Sequence, residues 1–97
     1  MSGIMLSFAD ALKAITQKTY MGEEDAATLL KFEIHKPYFI QQIGREPNKD
    51  EAVRMMESFR KDKALAYYNY EFPSTMIYAM ITKIMSTMPD TNEPIYK

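Results

Sequence analysis

Glycine and proline divide this chain into short segments, and this division constrains its fold more than any other sequence feature. Glycine occurs at positions 3, 22 and 44, and proline at positions 37, 47, 73, 89 and 94. Both residue types tend to end regular structure, proline because it lacks an amide hydrogen and glycine because its backbone is conformationally free. Since the whole chain has 97 residues, we expect several short elements in one domain with a modest core.

The segment before Gly22 carries the pattern of a helix. Ser7, with Asp10 three residues later, is typical of a helix N-terminus. Apolar residues then recur every three or four positions, which places on one face Phe8, Leu12 and Ile15. Gly22 is a natural end for this helix.

The second helical segment contains a proline. Residues 23–25 are acidic and complement the helix dipole in a first turn. Apolar positions continue on both sides of Pro37. Because Pro37 removes one backbone hydrogen bond, the pattern predicts either a kinked helix or two short helices, over residues 23–35 and 37–43. Gly44 ends this segment.

The clearest helical period begins after Pro47. Asn48, with Glu51 three residues later, is a favourable N-cap pattern. One face of the helix is apolar and contains Ala52, Met55, Met56 and Phe59. We expect this helix to continue into residues 64–66. For Tyr67–Phe72 the alternative is a β-strand, which aromatic residues favour, although a single strand has no evident partner here.

A last helix is predicted after Pro73, with Ser74 or Thr75 as its cap and Pro89 as its end. Lys83 is the only charged residue in this helix. Its apolar residues form two adjacent stripes, which contain Met76, Ile77, Met80, Ile81, Ile84, Met85 and Met88. Such a wide face suits either a central core helix or a helix that partly meets another chain, and methionine adapts to varied partners.

Together these segments predict an all-α protein, a compact bundle of four or five short helices that is kinked or broken near Pro37. Residues 1–89 are expected to form a single helical domain and residues 90–97 a flexible C-terminal tail. The predicted core residues are Phe8, Leu12, Ile15, Leu29, Leu30, Ile34, Phe39, Ile43, Met55, Phe59, Ile77, Ile81 and Ile84.

Composition and motifs argue against catalysis and ligand binding. The chain has no cysteine and no glycine-rich phosphate loop, and its net charge is −1. His35 is the only histidine, and its place beside Lys36 and Pro37 is more typical of a surface or capping residue than of a catalyst or ligand. We therefore expect no enzyme activity, no cofactor and no metal site. The absence of a targeting or membrane-spanning segment predicts a cytoplasmic protein that binds no membrane.

Basic and aromatic residues cluster in residues 54–72. The basic residues there include Arg60 and Lys63, and three tyrosines follow within four positions. Tyrosine and arginine are common at the centres of protein interfaces because they bury a large area and keep a polar group. The same residue types contact phosphates and stack on bases, although the basic excess in this stretch is small.

The favoured function is a non-enzymatic protein–protein interaction module, a small helical adaptor, regulator or inhibitor that acts by occupying a partner surface. Its partner is another protein or a second copy of the chain. The alternative is a small DNA- or RNA-binding helical regulator that uses residues 54–72. The predicted partner-binding residues are Arg60, Lys63, Tyr67, Tyr68, Tyr70, Met85 and Met88.

Overall fold

The computed structural model describes residues 4–87. In order along this part of the chain, the elements are β1 (Met5–Ser7), α1 (Phe8–Lys18), α2 (Glu23–Ile43), α3 (Lys49–Lys61), a 3-10 helix (Leu65–Asn69), β2 (Glu71–Pro73) and α4 (Ser74–Ser86). The predicted small helical bundle is confirmed, with a short two-stranded sheet added to it. The predicted tail, residues 90–97, lies outside the described residues.

Local capping fixes where α1 and α3 begin. The Ser7 hydroxyl accepts a hydrogen bond from the Asp10 amide at 3.1 Å. At α3 the Asn48 side chain accepts from the Glu51 amide at 2.8 Å, and the Glu51 carboxylate accepts from the Asn48 amide at 2.9 Å. Both pairs satisfy amides that the first helical turn leaves without partners, as the sequence predicted. Gly44 ends α2 with φ of +90°, a left-handed conformation that glycine adopts without strain.

Pro37 lies inside α2, which continues from Glu23 to Ile43 as one helix. The predicted alternative of two separate helices is therefore wrong. Pro37 is exposed, so its ring does not disturb the core, although the Glu33 carbonyl loses its helical donor. Because α2 packs against both α1 and α3, tertiary contacts outweigh this local loss.

α3 ends at Lys61, earlier than predicted. The Asp62 carboxylate accepts a hydrogen bond from the Ala64 amide at 2.9 Å, which turns the chain away from the helix axis. Residues 64–66 are exposed and belong to the turn and the 3-10 helix rather than to α3.

The apolar core lies between α1, α2, β2 and α4. It contains Phe8, Ala11, Leu12, Ile15, Ala26, Leu30, Ile34, Phe72, Ile77 and Ile81. Several of the predicted core residues are only half-buried, namely Leu29, Phe39, Met55, Phe59 and Ile84. Ile43 is 53% exposed, so its assignment to the core is wrong. It lies in the last turn of α2, whose buried residues all precede Pro37.

The sheet closes one side of this core. β1 pairs antiparallel with β2, with Leu6 opposite Phe72. Phe72 is fully buried, which the sequence pattern did not predict. The possible strand over Tyr67–Phe72 is thus present only from Glu71 onward, and the partner it needed is the segment just before α1.

Candidate interaction surface

Residues 62–70, here called the connecting segment, join α3 to β2 and carry most of the predicted binding residues. The segment crosses α1, and the ring of Tyr68 lies 4.9 Å from the ring of Phe8. Leu65 is 79% exposed, more than any other large apolar side chain in the described part of the molecule. The segment therefore presents apolar side chains outward while one of its rings rests on the core.

Lys31 of α2 fixes the start of the connecting segment. Its side chain is largely buried, and its Nζ donates to the carbonyl oxygen of Phe59 at 3.2 Å and to that of Asp62. These carbonyls lie at the C-terminal end of α3, where few backbone amides remain to pair with them; the Asp62 amide donates to that of Phe59 at 3.1 Å. The ammonium also lies 5.2 Å from the centre of the Tyr67 ring. Lys31 thus ties the end of α3 to α2.

His35, Asp62 and Tyr67 form a second anchor. The Tyr67 hydroxyl donates to Asp62 Oδ2 at 2.8 Å and lies 2.9 Å from His35 Nε2. A tyrosine hydroxyl has one hydrogen, and Tyr67 donates it to Asp62 in a hydrogen bond. We therefore infer that His35 Nε2 carries a hydrogen of its own and donates it to the Tyr67 oxygen. The His35 ring stacks on that of Phe59, with centroids 4.6 Å apart. His35 therefore holds the connecting segment in place.

At neutral pH Asp62 is ionised and Tyr67 is neutral, which are the states that their hydrogen bond requires. The Ala64 amide and then the Tyr67 hydroxyl lower the pKa of Asp62, so its carboxylate stays ionised. Burial, followed by the hydrogen bond to Asp62, raises the pKa of Tyr67 to about 12. A tyrosine held neutral in this way is a poor nucleophile, so the arrangement favours positioning over covalent chemistry.

Two neighbouring cavities share Tyr68 as a wall and are here together called the Tyr68 trough. A cavity of about 490 Å³ lies between α2 and the connecting segment, and one of about 470 Å³ lies between α1 and the turn before α2. Leu12, Glu23 and Tyr68 line both. Leu65 lies at the rim of the trough, which is open along its length.

The structure divides the predicted binding residues between different places. Arg60, Lys63 and Tyr68 line the trough. Tyr67 and Tyr70 line a separate cavity of about 360 Å³ on the His35 side of the connecting segment. Met85 lies on α4 and does not line the trough, and Met88 lies outside the described residues.

Arg60 and Lys63 differ in what they offer a partner. The Arg60 guanidinium is hydrogen-bonded to the Asp25 carboxylate and lies 3.7 Å from that of Glu24. The hydrogen bond that Arg60 donates to Asp25 raises the pKa of Arg60, and the two carboxylates largely balance its charge within the fold. No ion pair to Lys63 is present within residues 4–87, so its charge is available at the trough.

Sequence reasoning missed Leu65 as a surface residue because it lies in a stretch that continues the helical pattern of α3.

Within residues 4–87 no group of three or more His, Asp or Glu side chains could hold a metal ion. In the same part of the chain, no helix has the length and apolar character needed to cross a bilayer. Comparisons with known protein families, with curated proteins and with solved structures find no match to this chain.

Proposed function

We propose that this protein is a non-catalytic interaction module whose Tyr68 trough receives a segment of another protein. The observation that carries the proposal is the exposure of Leu65 and Tyr68, at 79% and 52%, beside an open depression. Large apolar side chains at such a site are typical of protein-binding surfaces, where a partner removes them from water.

The anchoring of the connecting segment supports this proposal. Lys31, His35 and Asp62 hold the segment through hydrogen bonds to its backbone and to Tyr67. A surface fixed in this way loses little conformational entropy when a partner binds, which favours affinity. In the free protein these bonds keep Leu65 and Tyr68 at the edge of the trough.

The charges around the trough define the kind of partner that fits. Glu23 and Glu24 lie on the α2 side, and Lys63 lies on the connecting segment. A segment with an apolar anchor between one basic and one acidic side chain complements this arrangement. A uniformly acidic or uniformly basic segment meets repulsion on one side of the trough.

Site-specific photo-crosslinking in the cells of origin tests the proposal. A photoreactive residue replaces Leu65 in one variant and Val53, a half-exposed residue on α3, in the control. We expect one protein to crosslink from position 65 and not from position 53. Equal crosslinking from both positions, or none from position 65, contradicts the proposal.

Affinity measurements on the identified protein complete this test. Leu65→Ser with Tyr68→Ala is expected to weaken binding by about tenfold or more, since apolar anchors dominate interface energies. Tyr38→Ala on α2 is the control, because Tyr38 and Tyr68 are 62% and 52% exposed and Tyr38 does not line the trough. Loss of binding in the control alone moves the partner to the surface around Tyr38 and overturns the proposed site.

The alternative of a nucleic-acid-binding regulator has weaker support. It requires free basic side chains in residues 54–72, and Arg60 is already engaged by Asp25 and Glu24. A mobility-shift assay at low salt with duplex and single-stranded probes tests it. Retardation that Lys63→Glu abolishes and Leu65→Ser leaves unchanged favours nucleic acid over a protein partner.

A further inference from the structure

Two uncharged stretches of the chain meet through the small sheet. No charged residue occurs in residues 4–9 or 72–82, although 26% of the whole chain is charged. β1 pairs with β2, and the Ser74 amide donates to the Ile4 carbonyl at 2.7 Å, which brings the start of α4 against β1. The pairing thus joins the two stretches into one surface without charge.

Exposed apolar side chains occur both on α4 and on β1. Met76 lines a cavity beside α2 together with Pro73, so that flank of α4 faces α2. At about 100° per residue, Tyr78 and Met85 lie roughly opposite Met76 around the helix, on the flank away from that cavity. Both are exposed, as are Ile4 and Met5 at the β1 edge of the sheet. We call these four residues, Ile4, Met5, Tyr78 and Met85, the uncharged face.

The outer edge of β1 has unpaired backbone groups. The Phe8 amide donates to the Tyr70 carbonyl at 3.1 Å, and the Ser74 amide donates to the Ile4 carbonyl. Phe8 therefore lies opposite Tyr70, and Ile4 lies opposite Ser74. Residues 4, 6 and 8 therefore direct their backbone groups toward β2, and Met5 directs its amide and carbonyl outward. Among residues 4–87, the only strand that pairs with β1 is β2.

The two edges of this sheet differ in their protection. On the outer edge of β2, Pro73 has no amide to offer and Glu71 adds a charge, and α2 lies nearby. Proline and charged residues are the usual devices that prevent strand pairing between molecules. β1 has neither, and the side chain it exposes at its centre is Met5.

We infer that a second copy of this chain docks on the uncharged face through antiparallel pairing of β1 with β1. On the two-fold axis, each Met5 amide donates to the Met5 carbonyl of the other copy, which extends the sheet to four strands. In a two-fold contact the residues near the axis meet their own copies, so a charge near Met5 would meet the same charge. The absence of charge removes that cost and favours a second copy as the occupant.

Sedimentation velocity over a series from low micromolar to low millimolar protein tests this inference. We expect the wild-type chain to shift from monomer to dimer as its concentration rises. Met5→Lys is expected to remain monomeric, because the lysines meet at the axis, and Met5→Pro likewise, because it removes the outward amide. Neither change removes a hydrogen bond between β1 and β2. Val53→Lys is the matched control, since Val53 and Met5 are 50% and 51% exposed.

Hydrogen exchange at the Met5 amide distinguishes strand pairing from other modes of dimerisation. We expect this amide to exchange more slowly as the dimer forms, and Leu65→Ser with Tyr68→Ala to leave the dimer unchanged. Thermal unfolding confirms that each variant is folded. The inference is overturned if the wild-type chain stays monomeric or if Met5→Lys still dimerises. It is also overturned if hydrogen exchange at the Met5 amide does not slow as the dimer forms. Binding of the monomer to neutral phospholipid vesicles without dimerisation also overturns it.

Discussion

The molecule contains two regions that are held together by different forces. Around Phe8, Ile15 and Ile77 the helices and the sheet meet through side chains that are fully buried. α3, in contrast, has no buried residue, and its contacts with α2 include hydrogen bonds from Lys31 and Arg60 and one stacked ring pair, His35 on Phe59. The apolar region determines whether the chain folds, and the polar region determines where α3 and the connecting segment lie. The proposed binding surface therefore depends on the weaker of the two regions.

The largest expected effect comes from the apolar region. Phe8→Ala removes a ring that is fully buried and lies 6.2 Å from that of Phe72 and 4.9 Å from that of Tyr68. We expect a loss of about 3–5 kcal/mol in the free energy of unfolding, measured by denaturant titration. Tyr20→Ala, at a highly exposed position, is the control and should change stability by less than ~0.5 kcal/mol. A small effect of Phe8→Ala contradicts the assignment of stability to this region.

Lys31→Met is expected to act on the polar region with an intermediate effect. The change keeps an unbranched side chain but leaves the Phe59 and Asp62 carbonyls without this donor. Loss of a charged donor to these half-buried acceptors is expected to cost about 1–3 kcal/mol. Hydrogen exchange should accelerate in residues 59–70 more than in α1. Uniform acceleration along the chain contradicts the separation into two regions.

Tyr67→Phe tests the polar region through the pH dependence of stability. Loss of the hydrogen bond to Asp62 is expected to cost about 0.5–1.5 kcal/mol near neutral pH. The pKa of Tyr67 rises from 10.0 to about 12 in the folded protein, so the folded state holds the proton more tightly. The stabilisation by Tyr67 is therefore complete below pH 10 and is lost as the pH rises toward about 12. The stability difference between wild type and Tyr67→Phe should shrink over that range, and a constant difference contradicts this account.

The smallest effect is expected at the N-terminus of α3. Hydrogen bonds from Arg45 and then from the Asn48 amide lower the pKa of Glu51 to about 2. A lowered pKa means that the stabilisation is present above the ordinary value of 4.5 and is lost as the pH falls toward about 2. Glu51→Gln should reduce this acid dependence, with a loss of stability smaller than that of Lys31→Met. NMR titration of the Glu51 carboxylate in wild type checks the pKa directly.

Features that depend on neighbouring residues could be predicted from the sequence. The capping pairs at Ser7 and Asn48 lie three residues from their partners, so a local pattern contains the whole interaction. The same is true of the apolar face of α1, all of whose predicted residues are buried. Local periodicity was sufficient for the helical class of the fold.

Features that depend on distant contacts could not be predicted in this way. His35 and Tyr67 are 32 residues apart, and β1 and β2 meet across most of the chain. Phe72 becomes a core residue only because that pairing turns it inward. For the candidate surface, residue type identified Tyr68 and Lys63, but the outward position of Leu65 follows from the early end of α3, which depends on Asp62.

The buried amine of Lys31 makes the polar region observable without any mutation. An acylating reagent reacts with an amine only when it can reach the nitrogen lone pair, and Lys31 is 9% exposed and donates to the carbonyls at the end of α3. Its acylation rate therefore reports how often α3 separates from α2. Lys63, which is exposed, supplies the reference rate in the same molecule. Mass spectrometry of the two sites thus measures the opening of this interface, and any partner that stabilises the connecting segment should slow labelling at Lys31.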